Sequence, residues 1–77
     1  MELPDKSGRL LVRLDAADVG MFRFLLEAYE NLAIFSVLEK RPALLKLMYA
    51  SESRGEVIAA LEEIGKSIRL CWEEWPL

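Results

Sequence analysis

Apolar and polar residues alternate through Arg9-Leu10-Leu11-Val12-Arg13-Leu14, with Leu10, Val12 and Leu14 on one face and Arg9, Leu11 and Arg13 on the other. A short branched run of this kind predicts a first strand, entered through a Ser7-Gly8 turn. Asp15 has the chemistry of a helix N-cap, and Asp18 places an acid in the first turn, where the helix dipole favours it. The helix is predicted to run to about Glu30 and to stop at Asn31. On its wheel Ala16, Gly20, Arg23, Glu27 and Glu30 form one narrow polar stripe, and Val19, Met21, Phe22, Phe24, Leu25, Leu26, Ala28 and Tyr29 fill the rest. An apolar arc of roughly 220° is wider than one core needs, so this helix calls for neighbours on two sides.

The pattern returns to strands at Leu32–Leu38 and Leu44–Tyr49, joined by a Glu39-Lys40-Arg41-Pro42 turn. Ser51 or Ser53 caps the next helix, and Ser53 with Glu56 has capping-box spacing. Val57, Ile58, Leu61 and Ile64 form its apolar stripe, and Gly65 ends it. Ser67-Ile68-Arg69-Leu70-Cys71-Trp72 alternates again as a fourth strand. The order β-α-β-β-α-β predicts an α+β, ferredoxin-like fold: a four-stranded antiparallel sheet with two helices on one face. The competing reading is all-helical, with 43–50 as a third helix. Residues 1–8 read as a flexible tail, 9–72 as one domain and 73–77 as a C-terminal tail.

If Leu10, Val12, Phe35, Val37, Leu45, Leu47, Ile68 and Leu70 face the helices, the opposite face carries Arg9, Leu11, Arg13, Ile34, Ser36, Leu38, Leu44, Lys46, Met48, Arg69 and Cys71. That face has four cations and no acid. Its apolar members Ile34, Leu38, Leu44 and Met48 gather on the two hairpin strands. A solvated face with long stems lying over apolar neighbours is one reading, and an interface is the other. Ile34, Ser36, Leu38, Leu44, Met48, Arg13 and Lys46 are the interface candidates. Without an aromatic platform the face does not suit RNA. Strand two is an expected sheet edge with no charge or Pro in 32–38 to protect it from pairing.

Composition narrows the chemistry. The chain has no His and a single Cys, Cys71. That removes His-centred triads and a structural zinc site from one chain. It also removes an internal disulfide, in keeping with a reducing cytoplasm. Cys71 has no His to activate it and is expected to be a bland thiol. The acids Asp15 and Asp18 are explained by capping, and no catalytic residue, metal or cofactor is expected. A net charge of −3 argues against nucleic acid, and no uncharged run approaches a membrane span. For 77 residues the apolar area buried and the chain entropy lost nearly cancel, so a lone monomer is marginal. Trp72 and Trp75 are expected to fold back over the core.

The stretch Arg13-Leu14-Asp15-Ala16-Ala17-Asp18, with Phe24-Leu25-Leu26-Glu27-Ala28-Tyr29-Glu30 and Leu32-Ala33, resembles a family of short bacterial proteins known only as a domain of unknown function. The resemblance covers about residues 9–72. By topology the chain is also similar to ACT domains, ferredoxin-like modules that pair through their sheets and often bind amino acids at the interface. Their ligand loop places Pro-Gly after an Asp, where this chain has Asp15-Ala16-Ala17. The marginal monomer, the wide apolar arc of the first helix and the unprotected second strand lead to the expectation of a non-catalytic, ACT-like interaction or regulatory module acting as a homodimer. Its partner would be a protein or a small ligand. The alternative is an amino-acid sensor with its site at Asp15, Asp18 and Val19 against the dimer partner.

Overall fold

A computed structural model describes residues 7–76. Six main elements appear in the order β1 (Ser7–Leu14), α1 (Val19–Glu27), β2 (Ile34–Lys40), β3 (Ala43–Ala50), α2 (Arg54–Ile64) and β4 (Leu70–Glu74). The fold is α+β, with one four-stranded antiparallel sheet in the order β2-β3-β1-β4. Residues 43–50 are a strand, which removes the all-helical reading.

The alternation of β1 and β3 sets the two faces of the sheet. Leu10, Val12, Leu14, Leu45 and Leu47 join Phe22 and Leu26 of α1 and Val57, Leu61 and Ile64 of α2 in a single buried cluster. Both helices therefore lie on the face chosen by strand parity. Phe22 is fully buried and meets Phe35 of β2 edge-on, with ring centroids 5.4 Å apart. The wide apolar arc of α1 is only partly covered. Val19, Leu25 and Tyr29 pack against the core, whereas Met21 and Phe24 stay 49% and 70% exposed.

Several boundaries differ from the sequence reading, each for a local reason. Ser7 and Gly8 are not a turn but the start of β1, because Gly8 pairs with Tyr49 and leaves room for its ring. Only Met1–Lys6 of the expected N-terminal tail lie outside the described residues. Asp15 does cap, accepting from the Ala17 amide at 3.0 Å, but it caps a short 3₁₀ turn (Ala16–Asp18) that leads into α1. Helix α1 stops at Glu27, and Glu30 and Asn31 take positive φ values of 40° and 59°. That reversal consumes the residues before Ile34, so β2 starts two positions later than Leu32. It also continues through Glu39 and Lys40, leaving Arg41-Pro42 as the turn.

The expected capping box is not formed. Ser53 ends a second 3₁₀ turn (Ser51–Ser53) and makes no side-chain cap bond to α2. Gly65 does end α2, in right-handed backbone. After it the amides of Ser67 and Ile68 both donate to the Ile64 carbonyl, so these residues complete the helix end. Strand β4 consequently begins at Leu70 and takes in Glu73 and Glu74, which the sequence reading gave to a tail.

Candidate functional site

Strand pairing lays out the back of the sheet as rows of neighbours. One row runs Ile34–Met48–Arg9, the next Ser36–Lys46–Leu11–Glu73, and the third Glu39–Leu44–Arg13–Cys71. Six interface candidates, Arg13, Ile34, Ser36, Leu44, Lys46 and Met48, thus share this face. Leu38 does not hold a place in the rows: the register shifts between Val37 and Glu39, and Leu38 is the extra residue of a bulge. Arg69 precedes β4 and is not part of the rows either.

The face is not free of acids, as alternation alone had suggested. The later start and end of β4 bring Glu73 onto it, where Glu73 accepts from Arg13 at 3.0 Å. Both side chains are more than half exposed, and such a pair contributes less than about 1 kcal/mol. Nor is the face free of aromatics. The Trp75 amide donates to the Arg9 carbonyl, continuing the β1–β4 ladder, and the Lys46 ammonium lies 5.0 Å from the centroid of the Trp75 ring.

Lys46 belongs to β3 and Trp75 follows β4, with β1 between them. Neighbouring strands lie about 4.8 Å apart, so the two side chains meet above β1. Leu11 of β1, the cross-strand partner of Lys46, faces the same side and is only 8% exposed. Trp72 points to the other face and packs against the core. The two tryptophans thus cover opposite sides of the sheet. Replacing Trp75 with Ala should uncover Leu11 and release Lys46. An exposed cation–π contact contributes about 0.5–1 kcal/mol, which for this size of domain lowers Tm by about 2–8 °C. An unchanged melting curve would show that Trp75 does not hold the face closed.

The outer strands of the sheet are β2 and β4, and β2 is the more apolar of the two edges. Ile34, Val37 and Leu38 are 50%, 42% and 46% exposed along it. Above the edge, Arg23 of α1 sits over the Phe35 ring, 4.8 Å from its centroid. Arg23, Glu27, Glu30, Ala33 and Ile34 line an open groove of about 580 Å³ between α1 and the start of β2.

The candidate ligand residues lie elsewhere. Asp15 and Asp18 line a shallow hollow with Arg13, Arg69 and Cys71, beside β1 and β4. Val19, the first residue of α1, packs on the core and does not line it. Cys71 is exposed opposite Arg13. Among the described residues no three Cys, Asp or Glu side chains converge as metal ligands. No helix among them is long and apolar enough to cross a membrane.

One polar cluster escaped the sequence reading. Arg54, the first residue of α2, donates to the Tyr49 hydroxyl at 3.0 Å and pairs with Glu74 of β4. Hydrogen bonds from Arg54 to Glu74 and then to Tyr49 raise the pKa of this guanidinium further above its ordinary value. The signal was the Glu73-Glu74 pair itself, whose two members face opposite sides of a strand and meet a different arginine on each.

No curated protein and no solved structure matches the chain. One family model matches residues 12–68, from the middle of β1 to the end of the turn after α2. That span includes α1, the β2 edge and β3, and the chain belongs to the domain-of-unknown-function family DUF4911.

Proposed function

We propose that the chain is a non-catalytic, ferredoxin-like interaction module of ACT-like type that works as a homodimer in the cytoplasm. The observation that carries this reading is the β2 edge. It is a seven-residue outer strand with three large apolar side chains at least 42% exposed. An edge strand offers a row of unpaired N–H and C=O groups to a second strand. Charge on the strand is confined to Glu39 and Lys40, beyond the bulge, so Ile34–Val37 stays open to pairing. A second copy adding its own β2 would complete the ladder and cover Ile34.

Sedimentation at micromolar concentration should show a dimer, and its contact should bury more than about 1,000 Å². Ile34→Lys should weaken it and lower Tm, because the substitution sets a charge in an apolar contact. A stable monomer, or an Ile34→Lys protein that associates and melts as the parent does, defeats the reading.

The hollow at Asp15 and Asp18 favours a second reading, a sensor of amino acids. Carboxylates and the guanidinium groups of Arg13 and Arg69 line it together, and a zwitterion needs both signs. Its test is a thermal-shift screen with free amino acids. A shift abolished by Asp15→Asn and Arg69→Ala would support it.

A further inference from the structure

The polar stripe of α1 says how a second copy is seated, given the edge-pairing reading above. Arg23 and Glu27 lie one turn apart on that stripe, and both are exposed. Arg23 lies over Phe35 of the edge strand, and Glu27 lines the same groove nearer the start of β2. Among the described residues neither has an ion-pair partner within the chain. The flank of α1 beside the β2 edge therefore shows a cation and, one turn on, an anion.

Directions and rises set the register. Strands β1 and β2 are each antiparallel to β3, so they are parallel to one another, and α1 runs back between them. Four helical residues advance about 6 Å, the length of about two strand residues. With Arg23 level with Phe35, Glu27 stands level with Ala33, and their midpoint falls at Ile34. A two-fold axis that pairs β2 with its copy makes the two α1 helices antiparallel. If the axis passes at Ile34, each Arg23 stands opposite the Glu27 of the other copy. If it moves to Ser36, the two Arg23 side chains become nearest neighbours across the axis, which like charge opposes.

We infer that the second copy is held by two reciprocal ion pairs, Arg23 of each protomer with Glu27 of the partner subunit, with Ile34 on the two-fold axis. The cation-then-anion order is complementary only to an antiparallel copy of itself, so the stripe selects both the partner and the register of the strands. The apolar edge supplies attraction, and the stripe supplies orientation.

The test uses Arg23→Glu, Glu27→Arg and an equimolar mixture of the two variants. Both positions are exposed, so each variant folds, which circular dichroism melts check. Each variant alone faces like charges across the axis and should dimerise at least about tenfold more weakly than the parent. In the mixture one chain carries two acids and the other two bases, so heterodimers should dominate. Native mass spectrometry separates the species by mass, and the preference should shrink at high salt. Variants that self-associate as the parent does, or a statistical mixture of dimers, overturn the reciprocal pairs and leave edge pairing standing. A monomeric parent overturns edge pairing and the ion pairs with it.

Discussion

Phe22→Ala should remove about 3–5 kcal/mol of stability, the usual loss for truncating a buried phenylalanine. The ring is the largest fully buried side chain of the core. It is also the member of α1 that meets Phe35 edge-on. Deleting it opens a cavity and frees the ring–ring contact that ties the helix to the edge strand. A chain of 77 residues has about 4–12 kcal/mol of stability in all, so the loss is a large share of the total. Urea denaturation followed by tryptophan fluorescence should show the midpoint falling by about a quarter or more at an unchanged slope. A loss below about 1 kcal/mol would mean that α1 does not dock on the sheet through Phe22.

The second large effect comes from adding a single methyl group. Gly8→Ala should destabilise the protein by about 1–3 kcal/mol through overpacking. A β-carbon at Gly8 would overlap the ring of Tyr49 and stand 2.7 Å from its hydroxyl oxygen. Tyr49 is 3% exposed and is the cross-strand partner of Gly8, so the ring lies across the glycine. Moving the ring also pulls its hydroxyl from Arg54, which binds Glu74 at the end of β4. The methyl group thus disturbs β1, β3, α2 and β4 together. Gly20 in α1 makes the contrast, since a β-carbon there would meet no atom within 4 Å. A thermal melt of Gly8→Ala that matches the parent would show that Tyr49 has room to move.

What the sequence made legible follows from how far each signal reaches along the chain. The parity of β1 and β3 was readable because one face is fully buried, and a one-residue slip would have turned Leu10, Val12, Leu45 and Leu47 outward. The Asp15 cap was readable because its bond spans two residues. Gly8 was misread because its partner, Tyr49, is forty-one positions away and only the strand pairing joins them. Ile68 alternates with Leu70, yet it packs on the core from the end of the helix, since burial does not require a strand. Glu73 and Glu74 looked like a solvated tail because Arg13 and Arg54 are remote in sequence. Of the interface candidates, parity placed six on one face. It lost Leu38 to a bulge, which has no mark in local composition.

Strand β1 is made first, yet it lies inside the sheet between β3 and β4. As the chain leaves the ribosome, Leu10 and Val12 have no sheet to join until β3 has emerged, and β1 keeps one bare edge until residues 70–74 arrive. Closing that edge joins residues sixty positions apart, as in the contact of Arg13 with Glu73. Pairings of this range form slowly. Until β4 docks, the chain carries an open β1 edge, and that unfinished edge is exposed to wrong partners.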